Sequence, residues 1–134
     1  MEKTLFMVKP DAVARGLVGE IVAAMEREGF IIERLELQHF ERAKAETFYD
    51  VHRDKPFFGS LVEYVTSGPV VAMVLGGDAA ITRVRELMGA TDPAQAAAGT
   101  IRRKYGESIE RNAVHGSDSP TSAAYEIAVV FGAP

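Results

Sequence analysis

The segment Asn112–Ser119, with the sequence Asn-Ala-Val-His-Gly-Ser-Asp-Ser, carries the densest set of side chains that could do chemistry. His115 is followed directly by Gly116, which permits a sharp turn and the close approach of a ligand. A helix beginning near Ser119 would offer free backbone N–H groups and the positive end of its dipole to an anion. An isolated histidine is more often a solvated loop residue, but this combination favours a histidine beside an anion site.

Glu126 lies in the same predicted helix between two apolar residues, so its carboxylate could face inward. A neutral imidazole is a nucleophile towards phosphorus or carbon when a carboxylate holds its second nitrogen. His115 and Glu126 therefore form a candidate nucleophile pair. A hydrolase triad of Ser117, His115 and Asp118 is less favoured, because residues so close in sequence seldom reach triad geometry and no Gly-x-Ser-x-Gly elbow is present.

Three cations stand at places that suit a phosphate site. Lys9 ends the first predicted strand, Arg85 lies beside the apolar stripe of a predicted helix, and Arg102 lies in an aperiodic stretch. Each alone is explained by a solvated surface position, but together with His115 they favour a site for a phosphorylated small molecule. Neither a Walker A motif nor Gly-x-Gly-x-x-Gly occurs, so side chains must hold the phosphate.

The aromatic pair Phe57-Phe58 follows Pro56 at a predicted helix start, so one ring can enter the core while the other stays exposed. An exposed ring could pack against another chain or provide a stacking platform for a planar base. From the residues alone, packing in the core or at an interface is the favoured interpretation.

The other acidic and histidine residues predict no metal site built by the protein. Glu46, Asp50 and Asp54 do not form a ligand pattern. His39 and His52 lack the polar setting of His115, and we interpret both as structural or surface residues.

Composition excludes several functional classes. The chain has 134 residues, a formal net charge of -4 and no Cys, which excludes disulfides, thiolate metal sites and a cysteine nucleophile. The acidic balance argues against non-specific nucleic-acid binding. The longest apolar run, Val70–Leu75, is too short for a bilayer span, and the first residues lack the features of a signal peptide, so we expect a cytoplasmic protein without membrane contact.

Strands and helices are predicted to alternate in one α/β domain over residues 1–134, and the pattern alone leaves strand order and direction open. The residues from Gly89 to Arg111 are predicted to form a long loop with at most a short helix. The predicted strands are Thr4–Lys9, Ile31–Phe40, Val70–Leu75 and Asn112–His115, and the predicted helices are Val18–Glu28, Ala43–His52, one from Phe58 to Val65, one ending at Met88 and one from Pro120 to Phe131.

Three local features carry more specific expectations. In the second strand, the alternation of Ile31, Leu35 and Leu37 with polar residues predicts a half-buried strand with these three facing the same way. Asp78 is predicted to be the N-cap of the helix that follows it, and Ser119 the N-cap of the last helix with Pro at its first position.

Six motifs, in order and without evident gaps over essentially the whole chain, are together similar to those of nucleoside diphosphate kinases. The block Asn-x-x-His-Gly-Ser-Asp-Ser is the most specific of them. This resemblance implies a ferredoxin-like αβ sandwich, with a four-stranded antiparallel sheet and helices packed on it. The motifs are Lys9–Asp11, Arg15–Glu20, Pro56–Phe58, Ser67–Ala72, Gly99–Arg102 and Asn112–Ser119.

The resemblance also implies the reaction. A γ-phosphate would pass from a nucleoside triphosphate, typically ATP, to a nucleoside diphosphate by a ping-pong route that maintains nucleoside triphosphate pools. His115 matches the phosphohistidine, phosphorylated on Nδ1; Glu126 matches the carboxylate that orients the ring, and Ser117 its hydrogen-bonded helper. Mg²⁺ would arrive bridging the nucleotide phosphates, near Asp118.

The nucleotide-binding positions follow from the same resemblance. Lys9 and Asn112 match groups that hold the ribose and its 3′-hydroxyl, while Phe57 matches the residue that stacks on the base, with Ile109 on the other face. The phosphate-binding positions are Lys9, Tyr49, Arg85, Thr91 and Arg102.

Family members assemble as homo-oligomers, and Pro93 lies in the loop that meets at the three-fold axis of hexameric members. The resemblance therefore favours a hexamer over a tetramer. Two other functional classes remain open from the residues: a regulatory module that binds a small molecule, which would leave the nucleophile pair unexplained, and a nucleic-acid-binding protein, for which Arg102-Arg103-Lys104 is the sole basic run.

Overall fold

Four strands form one antiparallel sheet in the computed structural model, which describes residues 1–132. The spatial order is β2-β3-β1-β4, and each neighbouring pair is antiparallel. The predicted sandwich with a four-stranded antiparallel sheet is thus confirmed; the last two residues of the predicted 1–134 domain lie outside the described part. The strands are β1 (Glu2–Val8), β2 (Ile31–Gln38), β3 (Val70–Gly77) and β4 (Val114–Gly116).

Helices cover both faces of the sheet. A short helix directly follows Lys9. The single helix predicted over Ala43–His52 is interrupted at Tyr49, after which a 3-10 turn covers Asp50–His52. Within residues 1–132, no helix is long and apolar enough to cross a bilayer. The helices are α1 (Pro10–Ala14), α2 (Val18–Arg27), α3 (Arg42–Phe48), α4 (Phe58–Val65), α5 (Ala80–Met88), α6 (Ile101–Tyr105) and α7 (Pro120–Phe131).

The sheet separates two cores because successive side chains of a strand point to opposite faces. From β1, Phe6 and Val8 pack with α1, α2, α5 and α6, whereas Leu5 and Met7 pack with α3, α4 and α7. β3 is buried along its whole length, as its unbroken apolar sequence predicts for a strand covered on both sides. The two central strands therefore give rigid support to the residues that directly follow them in the chain.

β2 differs from the prediction of a half-buried strand. Ile31, Leu35 and Leu37 are 54%, 48% and 68% exposed. β2 is an edge strand that pairs with β3 only, and within residues 1–132 no helix covers these three side chains. A register shift between Ile32 and Arg34 turns Ile31 to the other face of the sheet, because Ile31 pairs with Gly76 whereas Leu35 and Leu37 pair with Met73 and Val71. The prediction that all three face the same way is therefore wrong, and Leu35 and Leu37 alone share a face.

The start of α5 also differs from the prediction. Asp78 does not cap this helix; Ala79 is the N-cap residue, with φ 49° and no side-chain capping bond. The carboxylate Oε1 of Glu2, brought there by the start of β1, accepts a hydrogen bond from Ile81 N–H at 2.9 Å. The predicted cap of α7 is present, since Ser119 Oγ accepts from Ser122 N–H at 3.0 Å.

Candidate active site

The pairing of β1 with β4 brings residues from the beginning and the end of the chain next to each other. His115 on β4 pairs with Met7, and the backbone N–H of Lys9, just past β1, donates to the carbonyl of Ala113 at 2.8 Å. Because β1 is fixed on both sides by the two cores, Lys9 and His115 are held at one edge of a rigid sheet.

A chain of hydrogen bonds fixes the His115 ring. Its Nε2 lies 2.9 Å from Glu126 Oε1 on α7, and Ser117 Oγ donates to the same oxygen at 2.8 Å. Ser117 Oγ in turn accepts from the backbone N–H of Leu5 at 3.3 Å. A carboxylate can only accept, so in the neutral imidazole Nε2 is the protonated nitrogen and Nδ1 carries the lone pair, without a hydrogen-bond partner among residues 1–132.

Packing completes the orientation of the imidazole. The Phe48 ring on α3 contacts it edge-on, with the two ring centroids 5.2 Å apart. The His115 side chain remains 24% exposed, against 13% for Glu126. The carboxylate is thus the covered partner of the pair, and the imidazole faces an open cleft.

That cleft has a volume of about 510 Å³ and brings together all the predicted site residues except Ser117. Ser117 is 1% exposed and lies behind Glu126, where it can act only through that carboxylate. The predicted residues that line the cleft are Lys9, Tyr49, Phe57, Arg85, Thr91, Arg102, Ile109, Asn112, His115 and Glu126.

Lys9 is a buried cation on the cleft wall. Its Nζ donates to the carbonyl of Glu110 at 2.8 Å and to Asn112 Oδ1 at 3.0 Å. Burial lowers the pKa of Lys9 to about 8, against the opposing effect of the nearby Asp11 carboxylate. The amide of Asn112 also donates to the carbonyls of Thr91 and Ile109, so it ties two loop segments to this lysine.

The two arginines differ in how they are held. Arg102 is 7% exposed and donates to the carbonyls of Gly89 and Val114 at 3.2 and 3.0 Å, while its buried Nε has no partner among residues 1–132. Burial, and then the charge of Arg85, lowers the pKa of Arg102 to about 10, so it stays charged at neutral pH. Arg85 on α5 is exposed and donates to the Gly116 carbonyl at 3.3 Å.

Tyr49 contributes a neutral donor to the same wall. Burial, followed by the charges of Glu126 and Glu110, raises the pKa of its phenol well above the usual value. The hydroxyl therefore remains protonated and can donate a hydrogen bond to an anion throughout the neutral range.

Apolar side chains form the outer end of the cleft. Phe57 is 46% exposed and Ile109 is 61% exposed, as a surface for a planar group requires. His52, interpreted from the sequence as structural or surface, also lines the cleft, with its ring centroid 5.4 Å from that of Phe57. Val51, which was not predicted either, also lines the cleft, and both residues stand in the turn before the aromatic pair.

Among the carboxylates that line the cleft, Asp118 is the exposed one. The Ser122 hydroxyl, then the charge of Arg85, lowers the pKa of its carboxyl group. Within residues 1–132, no group of three or more His, Cys, Asp or Glu side chains is placed to hold a metal. One ionised carboxylate suits a Mg²⁺ ion that draws its other ligands from phosphates and water.

Comparisons with known proteins agree with this geometry. The family model described as "Nucleoside diphosphate kinase" matches residues 2–134. A nucleoside diphosphate kinase of Desulfosudis oleivorans is 56% identical over 131 residues, which are 98% of this chain and 94% of that protein. That of Desulfovibrio desulfuricans is 55% identical over 131 residues, with the same coverage of 98% and 94%.

Solved structures give the same result. The nucleoside diphosphate kinase of Aquifex aeolicus superposes with a TM-score of 0.96 at 50% identity and covers 97% of this chain and 94% of its own. That of Halobacterium salinarum, solved in complex with CDP, superposes with a TM-score of 0.95 at 46% identity, covering 98% and 88%.

Proposed function

The chain belongs to the nucleoside diphosphate kinase family, and from this premise we propose that it works by a ping-pong mechanism through a phosphohistidine at His115. The observation that carries the proposal is the state of the imidazole: Nε2 is held by Glu126, while Nδ1 has no partner among residues 1–132 in a residue that lines the cleft. A nucleophile needs a free lone pair and a fixed direction, and this arrangement supplies both.

In the first step, the Nδ1 lone pair attacks the γ-phosphorus of a nucleoside triphosphate. The bond from the γ-phosphorus to the bridging oxygen breaks, and the nucleoside diphosphate leaves with that electron pair. The Nε2 proton stays in place, and the Glu126 carboxylate stabilises the positive charge that the ring gains. In the second step, the terminal oxygen of another nucleoside diphosphate attacks the phosphohistidine, and Nδ1 recovers its lone pair.

Cationic and neutral donors stabilise the moving phosphoryl group. Arg85, Arg102 and Lys9 supply positive charge along the cleft, and Tyr49 and Thr91 supply neutral groups. Such preorganised donors are the main contribution a protein makes to phosphoryl transfer, because little covalent chemistry is left to it.

The outer end of the cleft fits a nucleoside. Phe57 and Ile109 offer apolar surface to the two faces of a base, and stacking tolerates different bases. Lys9 and Asn112 offer a donor and an amide to the ribose and its 3′-hydroxyl. A related protein, that of Halobacterium salinarum, has been solved in complex with CDP, which supports a nucleoside diphosphate as ligand.

We propose that Mg²⁺ enters with the nucleotide rather than residing in the protein. When bound, it would neutralise phosphate charge. Asp118 is the carboxylate placed to hold it, directly or through water, because it is exposed at the cleft, whereas the Glu126 carboxylate is engaged by His115 and Ser117 and that of Glu110 by Ser60.

Phosphate transfer from ATP to dTDP by wild type and by His115→Ala tests the mechanism. We expect His115→Ala to abolish turnover while nucleotide affinity is largely retained. Wild type incubated with γ-labelled ATP should carry a label that is labile in acid and stable in base. A label on Ser117, or turnover by the variant, would exclude the phosphohistidine.

We further propose a cytoplasmic homo-oligomer, a hexamer rather than a tetramer, that maintains nucleoside triphosphate pools without nucleic-acid binding. The uncovered apolar side chains of β2 support one interface between copies, and the exposed small residues Ala90, Ala94 and Ala97 in the loop after α5 support another. Two different interfaces suit a dihedral hexamer or tetramer, whereas a dimer needs one. The hexamer is preferred because Pro93 matches the loop that meets at the three-fold axis of hexameric members. Arg102 is buried in the site, so it is not free to extend a basic surface with Arg103 and Lys104.

A further inference from the structure

A strained turn lies directly before β4. Ala113 has φ 75°, and Val114 N–H donates to the Asn112 carbonyl at 2.9 Å, which closes a γ-turn around Ala113. γ-Turns with positive φ are rare and strained, and a residue with a Cβ stays in one only where its surroundings enforce it. The turn matters because Asn112 is its first residue and His115 directly follows its last residue, Val114.

The surroundings that enforce the turn include a buried carboxylate from α1. Asp11 is 5% exposed, and its Oδ2 accepts a hydrogen bond from Ala113 N–H at 3.1 Å. On the other side of the same residue, the Ala113 carbonyl accepts from Lys9 N–H at 2.8 Å. The backbone N–H and the carbonyl of Ala113 are thus both held by hydrogen bonds to the segment that follows β1.

Asp11 is itself held by Tyr64 of α4. The Tyr64 hydroxyl donates to Asp11 Oδ1 and accepts from the Asp11 backbone N–H at 2.8 Å. Tyr64 is 8% exposed, and burial followed by the Asp11 hydrogen bond raises the pKa of its phenol, so the hydroxyl keeps the proton that it donates. The tyrosine ring also lies 5.4 Å from Lys9 Nζ.

We infer that Asp11 and Tyr64 are positioning residues for phosphoryl transfer: together they hold the γ-turn at Ala113 and thereby set the direction of His115. Neither side chain lines the cleft, and both act through the backbone that carries the nucleophile. The inference rests on the proposed role of His115 and adds two residues that the phosphohistidine mechanism does not itself require.

Tyr64→Phe is the first test, because it removes one hydroxyl and keeps the ring. We expect kcat for ATP and dTDP to fall about tenfold, with KM changed by less than about twofold, since small displacements of a reacting group lower the rate strongly. Tyr105→Phe is the matched control: its hydroxyl also donates to a carboxylate, Glu20 Oε2 at 2.7 Å, but at an exposed site, and kcat should stay at the wild-type value. A wild-type kcat for folded Tyr64→Phe would overturn the inference.

Rescue by glycine separates positioning from simple destabilisation. Glycine adopts positive φ without strain, so the turn in Ala113→Gly should need less support. We expect Asp11→Asn to lower kcat about tenfold in wild type and less than about threefold in the Ala113→Gly background. Equal losses in both backgrounds, at a temperature where circular dichroism shows each variant folded, would overturn the inference.

Hydrogen exchange supplies a readout that does not depend on activity. Asp11→Asn should increase exchange at the Ala113 amide more than at amides in the middle of β3. Unchanged exchange at Ala113 would overturn the role of Asp11 whatever the enzyme's mechanism is. If exchange increases but wild type itself transfers no phosphate, the proposed function fails while the support of the turn stands.

Discussion

Lys9 is a buried cation that loses its charge within the pH range of an ordinary assay. Burial lowers its pKa to about 8, with Asp11 and Glu110 opposing and Arg102 reinforcing the shift. The amine is protonated below this pKa and neutral above it, so its attraction for phosphate is lost as the pH rises. We expect kcat/KM for ATP, which reports the free enzyme, to decline as the pH passes about 8.

In nuclear magnetic resonance spectra, the chemical shift of the Lys9 side-chain carbon next to Nζ should change over the same pH range in which kcat/KM declines. Lys3 is the control, because its side chain is 57% exposed in its contact with Glu33. If activity declined while Lys9 remained protonated, the decline at high pH would have to come from the titration of another group.

Ser117 links stability to the site. Its hydroxyl is the side-chain acceptor for the N–H of Leu5, a fully buried residue of β1. Ser117→Ala leaves that donor without this partner, so we expect the free energy of unfolding to fall by about 1–3 kcal/mol. Urea unfolding measures the change.

Ser108→Ala is the control for that measurement, because the Ser108 hydroxyl accepts from Arg111 N–H in an exposed loop where water can replace it. We expect its effect to stay within about 0.5 kcal/mol. Equal effects of the two substitutions would mean that the buried hydrogen bond adds nothing beyond an exposed one.

The sequence identified the residues of the candidate site better than it identified their supports. His115 and Glu126 were predicted as a pair from their types and neighbours, and the structure places their side chains in contact. Asp11 and Tyr64 could not be predicted to interact, because they lie on different helices and no local pattern records a contact across the fold. His52 was not predicted to line the cleft because its position there depends on the turn that brings it to Phe57.

At the scale of elements, periodicity located the strands but not all helix ends. A helix terminus needs hydrogen-bond partners, and the sequence suggests only neighbours as caps. At α7 the neighbour, Ser119, is the cap; at α5 it is Glu2 from the distant start of β1. The predicted Ala43–His52 helix ends at Phe48, and Tyr49, which follows it, is buried in the core, a position that periodicity alone does not distinguish from a helical one.

The Glu2 cap predicts a measurable contribution to stability. Its carboxylate satisfies a free N–H in the first turn of α5 and carries the charge that a helix N-terminus favours. We expect Glu2→Ala to lower the free energy of unfolding by about 1 kcal/mol and Glu2→Gln by less, because the amide oxygen still accepts.

Glu63→Ala is the matched control for this helix end, since Glu63 is exposed on α4 and its carboxylate makes no ion pair or hydrogen bond within residues 1–132. Thermal or urea unfolding of the three variants measures the difference. If Glu2→Ala were no more destabilising than Glu63→Ala, the cap would have no energetic role.

At the scale of the molecule, the net charge of -4 says little about the ligand. Lys9, Arg85 and Arg102 converge on one cleft, although they come from three separate parts of the chain. What a polyanion meets is therefore the local arrangement of charge, which only the fold establishes. The apolar face of β2 raises a similar question, because Leu35 and Leu37 are exposed in the structure of the single chain.

A second copy of the chain would cover that face. We expect wild type to have a mass in solution about six times the 14.5 kDa of one chain. Leu35 and Leu37 stand on the open edge strand, and burying each leucine contributes about 1.5–3 kcal/mol. Replacing both with Glu should yield smaller species, because charges would then have to enter the interface, while circular dichroism remains that of a folded chain.

Val51→Glu is the control, since Val51 is 82% exposed at the cleft and its replacement should leave the mass unchanged. Light scattering after size exclusion measures all three proteins; a double variant with the wild-type mass would place the interface elsewhere, and a monomeric wild type would refute assembly itself.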